Sequence, residues 1–207
     1  MSQKTVGIVD YQSGNIRSVI NAVEYIGENT RPVRTPDDFA GCSHLILPGV
    51  GAFGFCADRL RLSGLLPALE RWTLLDGKPL LGICVGMQLM ADYSEEQGRH
   101  RGLGWIGGAV RKLEKLGDPS IHIPHVGWNE VVFNEAFGLF QSGEVLNFYF
   151  DHSYAYDAPV LGKELAVCKH GRQFSAMIKK DNIVAVQFHP EKSQAAGMRL
   201  LKSFLAM

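Results

Sequence analysis

The sequence predicts a three-layer α/β sandwich, in which a mainly parallel central sheet has helices on both faces and carries an antiparallel β extension. Short apolar runs alternate with amphipathic helical patterns in the first half of the 207-residue chain, as in parallel sheets whose strands are joined by helices. The second half consists of short β-rich segments separated by glycine and polar turns, which is typical of hairpins. A helical pattern over residues 194–206 closes the chain.

The first half contains three predicted strand-helix units. Residues 5–11 (TVGIVDY) form a buried strand, and the helix after it has one apolar face made of Ile16, Val19, Ile20, Val23 and Ile26. A second buried strand is predicted over residues 44–49, followed by a helical pattern over 53–75 that Pro67 interrupts. Residues 78–84 form the third strand, which leads into a third helix.

The second half is predicted to extend the sheet with hairpins. The β-rich segments are GLGWIGGAVRKL, HVGWNEVVF, VLNFYFDHSY, ELAVCKH, FSAMIKKDN and IVAVQFHPE. Polar turns such as KKDN separate them. Because neither a repeat nor a linker interrupts the chain, we expect residues 1–207 to form a single domain.

Composition and charge exclude several classes of partner. Lys plus Arg and Asp plus Glu both number 21, so the chain has no basic excess to bind a nucleic-acid backbone and no polybasic run to bind a membrane. The N-terminus lacks a secretory signal pattern, and no apolar run approaches the roughly 18 residues of a membrane span. We therefore expect a cytoplasmic protein. We also expect reduced thiols and no metal site, because no C-x-x-C pair occurs among Cys42, Cys56, Cys84 and Cys168.

Cys84 differs from the other cysteines because Gly82 and Gly86 flank it where the third strand meets the next helix. G-x-C-x-G is the cysteine form of the nucleophile elbow, a turn so crowded that it requires small neighbours. Such a turn exposes the sulfur at the carboxyl edge of the sheet and beside a helix N-terminus, where thiolate is favoured. The motif therefore indicates a nucleophilic cysteine.

A second apolar run ends in His189 and Glu191, within VQFHPEKS. In extended backbone, residues two apart project to the same side, so Glu191 can hold the His189 imidazole in one tautomer while the other ring nitrogen faces the Cys84 thiol. This arrangement predicts a Cys-His-Glu triad. The alternative is a strand-end histidine beside a solvated carboxylate.

An oxyanion site is also predicted. The N–H of Val85, which follows the nucleophile, is a natural donor to the negative charge that forms when a carbonyl is attacked. The glycine-rich segment PGVGAFG ends a neighbouring strand, and its turn can present the N–H of Val50 or Gly51 at the same point. The alternative is a strand-to-helix loop that binds no ligand.

Five segments in order, PGVGAF, GICVGMQL, PHVGWN, FYFDHSY and QFHPEKS, resemble those of class I (triad-type) glutamine amidotransferases. The similarity begins at IVDYQSGNIRSV and covers nearly the whole chain. G-x-C-x-G and H-P-E are common to the superfamily, whereas PHVGWN and Y-x-S-G-N resemble the glutaminase subunits of imidazole glycerol phosphate synthase, which act in histidine biosynthesis. The resemblance implies a flavodoxin-like, class I amidotransferase fold.

The resemblance also implies residue roles. Cys84 matches the nucleophile that forms a glutamyl thioester, His189 the general base and then acid, and Glu191 the residue that orients it. The positions that hold the glutamine substrate match Gln88, His152, Ser153, Tyr154 and, near the reacting end, Gly51. No metal or organic cofactor is implied, because a thiolate, an imidazole and fixed backbone donors suffice for amide hydrolysis.

A partner is implied as well: a (β/α)8-barrel cyclase that forms a heterodimer with the glutaminase. The cyclase uses the ammonia to make imidazole glycerol phosphate and aminoimidazole carboxamide ribotide. Asn15, Tyr149 and Lys192 match positions that face this partner near the ammonia exit. Glutaminase activity without the partner is expected to be low, because the PGVG turn of such proteins rearranges when the partner binds its ligand.

Two other functions stay open at this point. One is a glutaminase or other cysteine hydrolase that serves a different pathway, and the other is a non-catalytic binding subunit of the same fold. The sequence departs from the family pattern at Gln12, where a glycine is common, and at Asp151, where an apolar residue is common. Asp151 adjoins His152 and changes the electrostatics around that predicted substrate contact.

Overall fold

Residues 3–157 and 164–207, which the computed structural model describes, contain five helices and thirteen strands. The helices are α1 (Ile16–Tyr25), α2 (Phe53–Leu62), α3 (Leu66–Glu70), α4 (Val85–Gln88) and α5 (Gln194–Leu205). The strands are β1 (Thr5–Val9), β2 (Asn29–Val33), β3 (His44–Gly49), β4 (Leu80–Cys84), β5 (Tyr93–Ser94), β6 (His100–Arg101), β7 (Ala109–Lys112), β8 (His125–Phe133), β9 (Val145–His152), β10 (Tyr154–Tyr156), β11 (Glu164–His170), β12 (Arg172–Lys180) and β13 (Ile183–Val186). Single 3-10 turns lie at Pro36–Phe39 and Pro190–Lys192, and a π turn lies at Arg71–Leu75.

The central sheet has nine strands in the order β2-β1-β3-β4-β13-β12-β11-β8-β9. The pairs from β2 to β13 are parallel, and those from β13 to β9 are antiparallel. The crossovers from β1 to β2 and from β3 to β4 run in opposite directions along the sheet, so right-handed connections place α1 and α2 on opposite faces. The predicted three-layer α/β sandwich with an antiparallel extension is confirmed.

The interior strands of the parallel half are apolar along their whole length. All residues of β3 and of β4 are buried, as expected for strands that have helices on both sides. Helix α1 contributes Val19, Ala22 and Val23 to the same core. The predicted closing helix corresponds to α5, which buries Leu200, Leu201 and Phe204.

Three features differ from the sequence prediction. Strand β2 was not predicted, because it is polar and contains Pro32; a proline is tolerated there because β2 is an edge strand. A separate small sheet, β10-β7-β5-β6, was also missed, since β5 and β6 have only two residues each. The helix after Cys84 is the single turn α4, so its dipole is smaller than predicted.

The helical pattern over residues 53–75 is interrupted before the predicted position. It breaks at Gly64, which has a φ of +74°, whereas Pro67 lies in the first turn of α3, where a missing N–H is harmless. Among residues 3–157 and 164–207, none of the helices combines the length and the hydropathy that a bilayer span requires.

The strand order determines where the predicted site residues meet. Strands β3, β4 and β13 are adjacent and parallel, so their carboxyl ends lie at one edge of the sheet. Gly49 at the end of β3 pairs with Cys84 at the end of β4, and Val186 at the end of β13 pairs with Ile83. The glycine-rich turn, Cys84 and the segment that carries His189 therefore leave the sheet side by side.

Candidate active site

Cys84 occupies the turn between β4 and α4 with a φ of +52° and a ψ of −111°. This region is sparsely populated by residues with a side chain, and occupying it costs about 1–3 kcal/mol. A Cβ atom on Gly86 would overlap the carbonyl oxygen of Leu47, and one on Gly82 would lie 2.6 Å from Cε of Met90. Gly86 is therefore needed because a main-chain oxygen passes very close, in agreement with the crowded turn that the sequence predicts, whereas the nearest atom at Gly82 ends a flexible side chain.

The sulfur is less exposed than the sequence prediction stated. Cys84 is only 4% exposed, and it lies at the inner wall of a cavity of about 260 Å³. The other predicted site residues that line this cavity are Val50, Gly51, Val85, Gln88, His152, Ser153, Tyr154, His189 and Lys192. Drug-sized ligands occupy pockets of roughly 300–1,000 Å³, so this volume suits a ligand the size of an amino acid. Glu96, Pro124 and Asp151 also line it, and no sequence signal marked the first two.

His189 lies between Cys84 and Glu191. Its side chain is hydrogen-bonded to Cys84, and its Nδ1 lies 2.8 Å from Oε1 of Glu191. The His189 and Glu191 side chains are almost completely buried, with exposed fractions of 4% and 2%. The three residues of the predicted triad therefore form one hydrogen-bonded chain beside the cavity.

The geometry behind the His189–Glu191 pair differs from the one predicted. Pro190 begins the 3-10 turn Pro190–Lys192, and His189 is the last extended residue before it, with a φ of −100° and a ψ of 95°. The carboxylate reaches the imidazole through this turn rather than by alternation along a strand. The spacing of two residues predicted the right pair for the wrong geometric reason.

The electrostatics of the triad favour a charged imidazole. Burial alone would lower the pKa of His189, but the negative charges and hydrogen bonds of Cys84 and Glu191 outweigh burial and raise this pKa to about 10. The imidazolium is the balancing charge for the thiolate that reactive cysteines require. Oε2 of Glu191 has no hydrogen-bond partner among the described residues, so the His189 charge also compensates a buried carboxylate.

The residues of the three predicted oxyanion donors line the same cavity as Cys84. Val85 is the first residue of α4, so its N–H has no acceptor within the helix. The Val50 carbonyl accepts a hydrogen bond of 2.9 Å from Ser13 Oγ. Because a peptide is planar and trans, the Gly51 N–H of the same peptide points away from Ser13. Their role as oxyanion donors stays a prediction.

One main-chain oxygen orients two of the predicted substrate-binding side chains. The Tyr154 carbonyl accepts hydrogen bonds of 2.9 Å from Nε2 of Gln88 and from Nδ1 of His152. The Gln88 amide also donates to Oε1 of Gln187 at 3.0 Å, so only its own Oε1 is free to meet a ligand. Nε2 of His152 accepts from Nδ1 of His125 at 3.0 Å. With both ring nitrogens engaged, any polar contact from His152 to substrate has to come from its main chain.

A group of three histidines, of which His125 and His152 are buried, extends from the wall of the cavity into the protein. The His125 ring stacks on His170 with centroids 3.9 Å apart, and its Nε2 accepts a hydrogen bond of 3.1 Å from Asn129. Burial lowers the pKa of His125 to about 3 and that of His152 to about 4. Both rings are therefore neutral at physiological pH, and their hydrogen bonds fix the tautomer of each.

We expect the free energy of unfolding to fall as the pH drops from about 6.5 to about 4. In this window the histidines of the unfolded chain take up protons, whereas folded His125, His152 and His44, whose pKa burial lowers to about 4, do not, so protonation favours the unfolded state. Solvent screening limits the combined loss to on the order of 2–4 kcal/mol. Urea unfolding between pH 4 and pH 7 measures the loss.

Two variants provide the controls for this pH dependence. His125→Phe removes one of the three buried rings whose pKa is lowered, so the loss of stability between pH 6.5 and pH 4 should shrink by about a third. His122→Asn alters an exposed histidine of the same region and should leave the loss unchanged. An identical pH dependence in all three proteins would contradict the assignment.

Two of the predicted interface residues, Tyr149 and Lys192, are in contact with each other. Lys192 Nζ is 5.2 Å from the centroid of the Tyr149 ring, and Trp128 packs edge-on against Tyr149 at 6.2 Å. Asn15 immediately precedes α1, which packs against the turn Pro190–Lys192. In the part of the chain that the structure describes, no hydrogen bond joins Asn15 to Tyr149 or Lys192. Their role at an interface stays a prediction.

A larger groove, of about 810 Å³, lies between α1 and α5. Its lining includes Glu191 but neither Cys84 nor His189, so it lies behind the acid of the triad. The smaller cavity is the candidate active site, because the sulfur and the imidazole both line it.

Comparison with known proteins gives the family. The glutamine amidotransferase class-I family matches residues 7–207. The chain belongs to this family. This amidotransferase is 44% identical to the imidazole glycerol phosphate synthase subunit HisH of Zymomonas mobilis, over 99% of this chain and 96% of that protein. It is 42% identical to the imidazole glycerol phosphate synthase hisHF of Schizosaccharomyces pombe, over 97% of this chain and 38% of that protein.

A solved structure with the same fold supports the architecture described above. The crystal structure of a glutamine amidotransferase aligns with this amidotransferase over 97% of both chains, with a TM-score of 0.73 and 19% identity. At that identity the likeness concerns the fold alone. The predicted membership of the class I amidotransferases is confirmed by the family match.

Proposed function

We propose that this amidotransferase hydrolyses glutamine to glutamate and ammonia and supplies the ammonia to a cyclase subunit in histidine biosynthesis. The products of the cyclase are imidazole glycerol phosphate and aminoimidazole carboxamide ribotide. The observation that carries the proposal is the hydrogen-bonded chain Cys84-His189-Glu191 beside a cavity of amino-acid size, in a protein 44% identical to a HisH subunit. We further propose that residues 1–207 are one domain in the cytoplasm, which the family match over 7–207 and the composition support.

The reaction uses the three side chains in sequence. The Cys84 thiolate attacks the side-chain carbonyl carbon of glutamine, and the carbonyl oxygen becomes an oxyanion beside the N–H groups of Val85 and of Gly51 or Val50. The His189 imidazolium then protonates the amide nitrogen, ammonia leaves, and a glutamyl thioester remains. Neutral His189 next takes a proton from water, the hydroxide displaces the thiolate, and glutamate is released. Glu191 keeps the imidazole oriented throughout.

The cavity contains groups that suit the amino-acid end of glutamine. The carboxylates of Glu96 and Asp151 line it and provide negative charge for the α-ammonium group. Oε1 of Gln88 is an acceptor for an N–H of the substrate, because both hydrogens of its amide are already donated. Ser153 and Tyr154 complete the wall of the cavity. No metal or organic cofactor enters these steps.

We place the (β/α)8-barrel partner on the exposed face of the β8–β9 hairpin, which carries large apolar residues among polar ones. On the β8–β9 hairpin, Val126, Trp128 and Val145 are 56%, 48% and 48% exposed, and Trp128 packs against Tyr149 beside Lys192. Such patches of large apolar residues mark protein interaction sites. The S. pombe relative supports a partner, since the match covers only 38% of its length and the rest is further sequence in the same protein. This proposal implies that glutamine is the substrate and that the chain forms a heterodimer with the cyclase.

Glutamine hydrolysis measured with and without the barrel cyclase and its nucleotide ligand tests the function. We expect slow hydrolysis by the chain alone and strong stimulation by the liganded cyclase. A full rate without the partner would contradict the coupling, and stimulation by a different synthase instead would favour another pathway. No hydrolysis under any condition, together with no labelling of Cys84 by a glutamine-analogue alkylator, would favour a non-catalytic binding subunit.

A further inference from the structure

The side chain of Gln187 lies beside the reactive sulfur. Gln187 follows β13, and its N–H donates a hydrogen bond of 2.9 Å to the Ala176 carbonyl, which keeps the chain extended. Alternation then directs Gln187 and His189 to the same side, while Phe188 between them stacks on Phe148 on the other side, with centroids 4.0 Å apart. Gln187 is completely buried, and its Nε2 lies 3.6 Å from the sulfur of Cys84.

The orientation of the Gln187 amide is determined by a chain of hydrogen bonds that begins at a main-chain oxygen. The Tyr154 carbonyl can only accept, so Gln88 presents its NH2 group there, at 2.9 Å. The second hydrogen of that NH2 group meets Gln187 at 3.0 Å, so Gln187 presents its Oε1 to Gln88. The NH2 group of Gln187 consequently faces Cys84. Reversing the Gln88 amide would place its oxygen against the Tyr154 carbonyl oxygen, and reversing the Gln187 amide would place its NH2 group against the NH2 group of Gln88.

A buried N–H donor beside a sulfur stabilises the charged form of the cysteine more than the neutral form. A thiolate is a strong acceptor, and a buried donor stabilises it, whereas a thiol is only a weak acceptor. His189 is hydrogen-bonded to the same sulfur, so the sulfur has two donors. Gln187 differs from His189 in that an amide cannot give up its proton, so its contribution lasts through every step in which sulfur carries charge.

We propose that Gln187 is a further catalytic residue of the glutaminase reaction, which donates a hydrogen bond to the Cys84 thiolate, and that Gln88 is the positioning residue that orients it. This inference rests on the proposed function. The donor stabilises the thiolate before attack on glutamine and again when the thioester is cleaved and the sulfur leaves. Gln88 thereby has two tasks, one toward the substrate and one toward the nucleophile.

The pH dependence of Cys84 alkylation by iodoacetamide, followed by peptide mass spectrometry on the full chain, tests the inference. In Gln187→Met the apolar side chain removes the donor at similar length, and we expect alkylation at pH 7 to slow about 10- to 100-fold, the effect of losing one hydrogen bond to a charged group. In Gln187→Glu an acceptor replaces the donor, and the pH profile should move to higher pH by at least as much. At high pH, where the sulfur is ionised in every variant, the rates should converge.

The convergence at high pH separates a charge-stabilising role from a structural one. A cavity distorted by the substitution would slow alkylation equally at every pH, and that result would overturn the inference, as would unchanged profiles in both variants. Gln173→Met, at an exposed glutamine on β12, is the matched control and should behave as wild type. Gln187→Glu keeps the shape of the residue, so it serves if Gln187→Met fails to fold.

The experiment also separates this inference from the proposed function, because alkylation needs no glutamine hydrolysis. If wild type hydrolyses glutamine with its cyclase while both Gln187 variants keep the wild-type alkylation profile, the inference fails and the function stands. If the profiles shift but wild type never hydrolyses glutamine, the function fails and the hydrogen bond to sulfur stands.

Discussion

Replacing Cys84 by alanine should abolish glutamine-dependent synthesis in the complex with the cyclase, with a loss of at least about 10⁴-fold in the rate of glutamine hydrolysis. The loss is this large because the thioester requires the sulfur, and no other described residue that lines the cavity is a thiol. Synthesis from added ammonium should continue, since ammonium bypasses the glutaminase site. Product formation from glutamine and from ammonium, compared in the same preparation, measures both.

Cys168→Ala is the matched control for this experiment. Cys168 is also a buried free cysteine, but it lies on β11 and away from the cavity, so its replacement should preserve both activities. If Cys84→Ala lost the ammonium-driven synthesis as well, the separation of glutaminase and cyclase functions would be wrong. If glutamine hydrolysis survived in Cys84→Ala, the assignment of the nucleophile would be wrong.

Replacing Gly86 by alanine should reduce the free energy of unfolding by about 3 kcal/mol or more and should also remove glutaminase activity. The added methyl group would occupy the position of the Leu47 carbonyl oxygen, and a main-chain atom of a buried strand cannot move aside as a flexible side chain can. Either β3, which leads into Val50 and Gly51, or the turn at Cys84 has to shift. Urea unfolding and glutamine hydrolysis with the cyclase measure the two effects.

Gly77→Ala separates steric overlap from backbone conformation. Gly77 has a φ of +61°, and no neighbouring atom lies within 4 Å of the position that an added methyl group would take. Alanine there should therefore cost only about 1–2 kcal/mol, through the left-handed conformation. Its activity should match wild type. A stability loss for Gly86→Ala no larger than for Gly77→Ala would show that the close approach of β3 is not what requires glycine.

The sequence predicted those strands whose own composition matches their place in the sheet. β3 and β4 are continuous apolar runs because helices cover both of their faces, and the three neighbouring strands bring their carboxyl ends together without further information. β2 carries no such signal, since an edge strand needs few apolar residues. The short strands β5 and β6 are held by their neighbours in the small sheet rather than by their own composition.

The sequence likewise indicated some features of the candidate site and missed others. Cys84, His189 and Glu191 belong to motifs that end strands, so the sequence indicated them, whereas the recessed position of the sulfur depends on residues far away in the chain. Gln187 was missed even though it stands two residues before His189 and the same alternation directs it toward the sulfur. The pairing of His125 with His152 comes from the register between β8 and β9, which a single sequence does not reveal.

The carbonyl of Tyr154 orients the side chains around the sulfur, and motifs of side chains in related sequences do not reveal it. Because the oxygen belongs to the main chain, any residue at position 154 supplies it, and the identity of the side chain is irrelevant to the orientation of Gln88, Gln187 and His152. A substitution at this position in an aligned sequence would leave the arrangement of protons around the sulfur unchanged. A shift in the path of β10 would reverse or break that arrangement without altering a single letter of the recognised motifs.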